Sequence, residues 1–359
     1  MSMNMEMDIN SLYDHYDFSG IEDKFEALFP SWDISFRDLL FAVMHGDGIR
    51  EIVTQVKEIL YMLAAEMDAV KFVCATLLLI GIVSTVFMNF SGIFPNQQIG
   101  SFGYQLIYLI LIIFLIKVNA EVFSLAENGM ETCISFLQVF LPCYFIVVGT
   151  AGGSATAFGF YQVFLIGIYM VEQILVNVIL PLISCYMLLC IMNGIWEEER
   201  LSLFIRMLKK GIRTFLKLLL TLAAGSGLFQ SVITPVIDTV KMDAVKKTVE
   251  IIPGVGELAD GSIQVLLGMS VLLKNALGIV FVIVLVFVCA VPILKVFLFM
   301  FAIKGCSALI GLSADKRITG CANAFGDGIM LLLQTMITAV MFFLILILIV
   351  TFTANRGFM

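Results

Sequence analysis

Residues 251–305, IIPGVGELADGSIQVLLGMSVLLKNALGIVFVIVLVFVCAVPILKVFLFMFAIKG, restrict the fold of this chain more than any other stretch. A polar start rich in Pro and Gly leads into apolar sequence, which is interrupted at Lys274-Asn275, resumes from Ala276 to Val291 and meets Pro292. A further apolar run, carrying Lys295 and Lys304, ends at Gly305. Roughly 20 apolar residues, rising about 1.5 Å each, cross the hydrocarbon of a bilayer. No water-soluble core needs so much unbroken hydrophobicity. The pattern predicts two membrane helices, near 271–291 and 293–311, divided at Pro292.

The rest of the chain agrees. Its 359 residues are 60 % hydrophobic and only 14 % charged, with a mean hydropathy of +1.04; soluble domains carry roughly 25 % charged residues. A net charge of -7 argues against a nucleic-acid partner, because phosphate binding needs clustered Lys and Arg. The 8 cysteines are scattered through apolar segments without a CxxC, and His15 and His45 are the 2 histidines. That pattern predicts no metal site and no cofactor, and suits small cysteines packed between helices. Neither HExxH nor GxSxG occurs, so an enzyme is not expected.

In order, residues 1–70 form an acidic polar region with 14 Asp or Glu against 4 Lys or Arg. Residues 1–31 read as loop, and Asp33–Val43 as a short helix. Asp47 is placed to cap the next helix, along which Ile49, Ile52, Val53, Val56, Ile59, Leu60 and Leu63 recur at helical spacing. The acidic start at Met1 has no signal-peptide pattern. Membrane helices are then predicted near 72–90, 102–120 and 133–150. The glycine cluster GTAGGSATA, 149–157, lacks the lysine and spacing of a phosphate loop and reads as a tight turn. Residues 158–196 are too long for one crossing and divide near Pro181 into 158–177 and 179–196. Further helices follow near 215–235 and, beyond the pair already described, 329–351. The expectation is an all-α polytopic membrane protein with about nine transmembrane helices.

Residues 197–217 hold the densest basic cluster: Arg200, Arg206, Lys209, Lys210, Arg213 and Lys217. The positive-inside rule puts them in the cytoplasm. With nine crossings this makes 1–70 extracytoplasmic, the polar connector 236–264 and the connection 312–328 extracytoplasmic, and the tail 352–359 cytoplasmic. Helices one to three occupy 71–150. Pro181 and Pro292, Gly167 and Gly278, and Gly194 and Gly305 each lie 111 residues apart. This spacing suggests two three-helix repeat units, 150–235 and 261–351. An odd helix number would invert one relative to the other, as in many transporters.

The polar and packing positions singled out are Glu172, Lys274, Asn275, Gly268, Gly278, Pro181 and Pro292. Glu172 and Lys274 are ionisable residues inside apolar segments, where charge normally faces protein or water. Lys274 and Gly278 share a helix face, and small residues there admit a close neighbour. Two placements of Lys274 are open: at the external interface, or inside the bundle with Glu172, Glu257 or Asp260 as partner. The repeat, Glu172 and Lys274 also fit a secondary transporter or permease for a small solute.

The segment IPGVGELADGSIQVLLGMSVLLKNALG, 252–278, combines an Ile-Pro-x-Val-Gly start, an acidic small-residue turn, and a helix with Lys, Asn and Gly. With SALIGLSADKRITGCANAFGDGIMLLL, 307–333, it resembles the stage III sporulation protein AE family of spore-forming Firmicutes, over roughly 70–355. The resemblance implies a multi-pass component of the mother-cell membrane around the forespore. It implies work with the other stage III sporulation A proteins and the forespore protein Q, in a channel or feeding apparatus needed for sporulation. It transfers no catalytic residues. Besides the lipid bilayer and those proteins, a second copy of the chain is left open as a partner.

Overall fold

The computed structural model describes residues 17–30, 32, 34–46, 48–91, 97–150, 155–195, 201–249, 256–312 and 316–356. The side-chain surroundings of 48–63, 65–66, 91, 97–101, 149–150, 155–161, 163–164, 227–271 and 352–356 lie outside that description. Among the described residues every regular element is helical.

Two short helices come first. Helix α1, Ser19–Leu28, replaces the loop expected before residue 31. Ile21 and Phe25 recur at helical spacing and are buried. Asp17 accepts the Ser19 N–H at 3.1 Å and its hydroxyl at 2.6 Å, which holds the exposed carboxyl below its usual range. Helix α2, Phe36–His45, starts later than predicted because Ser35 and Asp38 form a capping box: Ser35 Oγ accepts the Asp38 N–H at 3.1 Å, and the Asp38 carboxylate accepts the Ser35 N–H at 3.3 Å. It ends at Gly46, whose φ of 89° is cheap only without a Cβ. The expected cap at Asp47 lies outside the described residues.

Six long helical runs follow: α3 (Gly48–Ser91), α4 (Gln97–Thr150), α5 (Ala155–Ile174) leading through a π-helical turn, Leu175–Ile179, into α6 (Leu180–Asn193), α7 (Ser202–Val249), α8 (Gly256–Ile310) and α9 (Lys316–Arg356). Among the described residues five stretches are long and apolar enough to cross a membrane: Met67–Phe90, Phe102–Val148, Leu165–Asn193, Leu272–Ile310 and Lys316–Thr351. The nine-helix count is therefore not confirmed. The pairs predicted at 102–120 and 133–150, at 158–177 and 179–196, and at 271–291 and 293–311 are each one continuous helical run. The polar residues 121–132 and 316–328, read as connections, are helical too.

Pro181 and Pro292 do not divide their helices. A proline lacks the N–H and crowds the carbonyl four residues earlier. Before Pro181 the chain widens into the π turn that contains Asn177, which relieves that crowding. At Pro292 the ring lies over Gly129 of α4: a Cβ on that glycine would come within 2.5 Å of Pro292 Cβ and 3.1 Å of Met336 Cε. Neighbouring helices thus hold the proline turn in place, as membrane helices permit.

The six runs alternate in direction. Gly103 lies under the ring of Phe87, so α3 and α4 form a hairpin. Asn119 donates to Ser184 Oγ at 3.0 Å and Tyr108 OH to the Ile191 carbonyl at 2.9 Å, which sets α6 antiparallel to α4. Cys133 faces Cys289, Phe136 stacks on Phe281 while Phe140 packs tilted against the same ring, and Tyr144 reaches Gly278, so α8 is also antiparallel to α4. Arg317 sits over Tyr104 and Tyr144 bonds Thr351, so α9 runs parallel to α4. The turns after Ser91, Asn193 and Ile310 consequently lie at one end of the bundle, and α1 and α2 pack at the other, with Trp32 against Phe287 and Phe36 against Phe140. The two proline-bearing segments run in the same direction, so the predicted inversion of the three-helix units does not appear; they open successive hairpins of like orientation.

Candidate functional site

Of the sequence-predicted positions, Lys274, Asn275 and Gly278 lie on one stretch of α8. Lys274 is fully buried at 0 % exposure, so it points into the bundle. Gly278 admits the close neighbours expected of it: a Cβ there would lie 3.2 Å from Thr351 Oγ1 and 3.3 Å from Tyr144 OH, two groups that bond each other at 2.5 Å. Asn275 is half-buried, and its Oδ1 has no hydrogen-bond partner among the described residues. Gly268 lies on the same helix, but its surroundings are outside the described residues, as are the side chains of Glu257 and Asp260.

Glu172 is also buried, at 2 % exposure, on α5. It is not beside Lys274. It lies close enough to Cys133 to act on it electrostatically, whereas Lys274 is one turn from Gly278 at the level of Tyr144. Cys133 and Tyr144 are eleven residues apart on α4, about 16 Å along the axis. Glu172 Oε1 has no hydrogen-bond partner among the described residues. The buried acid and the buried base are separate features. Beside Glu172, the Cys133 and Cys289 thiols meet at 3.1 Å.

Pro292 borders a cavity of about 250 Å³ between α4, α8 and the N-terminal helices, with Phe29, Trp32, Asn128, Thr132 and Lys295 in its wall. Because Pro292 cannot donate to it, the carbonyl of Val288, also in that wall, lacks its usual helical partner. Pro181 is exposed on α6.

The structure adds a charged cluster that the sequence reading did not assemble. Asp327 of α9 receives Lys209 of α7 on Oδ2 at 2.5 Å and Lys304 of α8 on Oδ1. Lys304 also reaches Asn323 Oδ1 at 3.4 Å. Arg213, one turn after Lys209, and Asp327 both act on the Tyr186 phenol, which places the guanidinium beside the group. These charges are 118 and 23 residues from Asp327 in sequence, so no local spacing reveals them.

A second feature is on α4. Lys117, Glu121, Ser124, Asn128 and Glu131 are exposed and recur every three or four residues, a polar stripe along one face of a helix that is apolar on either side of it. The sequence showed the charges, but read them as a connection.

Among the described residues no group of three or more His, Cys, Asp or Glu could hold a metal ion. The buried charges and the ionic cluster can bind, orient or hold helices.

No solved structure matches the chain. A curated relative, the stage III sporulation protein AE of Bacillus subtilis (strain 168), is 23 % identical over 336 residues, covering 93 % of this chain and 84 % of the relative. The family profile of stage III sporulation protein AE matches residues 34–354. With a match over almost its whole length and an all-helical membrane architecture, the chain belongs to the stage III sporulation protein AE family.

Proposed function

We propose that this protein is a multi-pass component of the mother cell–forespore channel complex required for sporulation, working with the other stage III sporulation A proteins and the forespore protein Q. Family membership over residues 34–354 carries the reading. Its place is the mother-cell membrane that surrounds the forespore.

The dimensions support a role in an assembly. Helices α4 and α8 have 54 and 55 residues, which is about 80 Å at 1.5 Å per residue against a hydrocarbon core of about 30 Å. The polar stripe Lys117–Glu131 is exposed within the apolar run Phe102–Val148, and charged side chains there call for a protein or aqueous neighbour rather than lipid. The basic start of α7 at the turn end makes that end cytoplasmic. On this reading the acidic N-terminal region is extracytoplasmic, and alternation of six helices brings the C-terminal end of α9 to the same side.

A deletion strain is expected to grow normally and to arrest after engulfment. Normal heat-resistant spores from that strain would remove the sporulation role. A pulldown of the intact protein from sporulating cells should recover the partner proteins; their absence, with the deletion still arresting, would remove the complex and keep the role.

One observation favours a second reading, a permease for a small solute. Lys274 and Glu172 are ionisable groups buried within membrane-type helices, which usually mark a path for ions or solutes.

A further inference from the structure

The Asp327 cluster holds more positive charge than its carboxylate can balance. Lys209 and Lys304 each take one oxygen of Asp327, and Arg213 stands one turn along α7 on the same face as Lys209. Among the described residues, two cations thus hold one anion, and a third stands one helical turn along beside Tyr186. The group is neither sealed nor fully solvated: the side chains of Lys209, Lys304 and Asp327 are 25 %, 32 % and 23 % exposed. Arg213 Nε is buried and has no hydrogen-bond partner among the described residues. A guanidinium N–H removed from water without an acceptor is costly, and an anionic oxygen is the acceptor that offsets the cost best.

The surroundings select the kind of anion. On the same helix Leu203, Phe204 and Met207 are 71 %, 55 % and 72 % exposed, beside the exposed bases Arg206 and Lys210. Further along, Leu218 and Leu222 are exposed as well. Apolar residues that project outward among bases are the composition of a helix lying in a headgroup layer. Basic pockets between membrane helices bind acidic headgroups. We propose that Lys209, Lys304 and Arg213 form a binding site for the phosphate of an anionic phospholipid, with Asp327 offsetting part of the lysine charge and the acyl chains lying along Leu218 and Leu222. The lipid joins α7 to the α8–α9 hairpin. Nothing in the sporulation reading is needed for this site.

The test uses the full-length protein purified in a neutral detergent, titrated with dioleoyl phosphatidylglycerol or dioleoyl phosphatidylcholine and read by native mass spectrometry. The parent should prefer the glycerol lipid. The double variant Arg213→Gln, Lys304→Gln should lose that preference, by roughly fivefold per charge removed, with binding of the choline lipid unchanged. Arg213→Lys with Lys304→Arg should keep it. Asp327→Asn separates the proposal from a purely structural ion pair: removing the negative charge should maintain or raise the preference for the anionic lipid. Retention of the preference by the Gln double variant would overturn the site, and so would its loss in a folded Asp327→Asn protein. Inorganic phosphate at millimolar concentration should leave lipid binding unchanged. Full displacement of the lipid by phosphate would identify a free anion as the ligand and overturn the lipid assignment.

Discussion

The Sγ atoms of Cys133 on α4 and Cys289 on α8 lie 3.1 Å apart in the middle of the two longest helices. The pair joins segments 156 residues apart in sequence and fixes their register. Copper phenanthroline, as the oxidant, is expected to link the two thiols in the full-length protein, detected as a joined pair of peptides by mass spectrometry. Peptides that stay separate under oxidation, with both thiols reactive after denaturation, would show that α4 and α8 do not meet at this level.

Gly129 and Pro292 form the next contact along the same interface. A Cβ at 129 would come within 2.5 Å of Pro292 Cβ, and both backbones are helical, so neither can move aside cheaply. Gly129→Val should lower stability by about 1–3 kcal/mol, the range for overpacking a filled interior. The loss should be smaller in a Pro292→Gly background, which removes that Cβ, measured as thermal midpoints of the purified variants against Pro292→Gly alone. Additive effects of the two changes would mean that the residues do not touch.

Lys274 has 0 % exposure, and its helix is packed through Gly278 on Tyr144 and Thr351. Replacing a buried ionic group with a well-fitting apolar one is often neutral or stabilising. Lys274→Met should therefore accumulate in the membrane at the parental level or above, while sporulation falls at least about tenfold. We derive that fall from the rarity of ionisable groups at such depth without a role. Parental sporulation by the Met variant would assign Lys274 to architecture alone.

The alternation of the helices has a topological consequence. Ile195 and Leu312, 50 % and 85 % exposed, follow the turn-end helix termini, whereas Asp23 is exposed on α1 at the other end. Single cysteines at 195 and 312, in a background without native cysteines, should react from the same side of the membrane. A cysteine at 23 should react from the opposite side. Labelling of 195 and 312 from opposite sides would break the hairpin arrangement, and with it the assignment of α7 to α9.

Much of the class was legible in the residues. Unbroken apolar runs specify helices in lipid because each backbone N–H and C=O must be satisfied within its own segment. The local signals at Ser35 and Asp38 would have placed α2 correctly had they been read as a capping box. The segments 252–278 and 307–333 pointed to the family that residues 34–354 confirm.

The division into helices was not legible, for a physical reason. Pro181, Pro292 and the charges of 117–131 are all helix-ending signals when read locally. Whether they end a helix depends on what packs against them: a π turn before Pro181, Gly129 beneath Pro292, solvent along the stripe of α4. The same holds for the charged groups. The sequence placed Glu172 and Lys274 inside apolar segments and Asp327 in a polar connection, and left Glu172 open beside Glu257 and Asp260 as a partner for Lys274. Only the packing of six antiparallel runs set Glu172 beside Cys133, enclosed Lys274 near Tyr144 and gathered Lys209 and Lys304 onto Asp327. The sequence by itself determined the helical, membrane-bound class through local backbone chemistry, while partners distant along the chain were decided by the register of one helix against another, which no local pattern encodes.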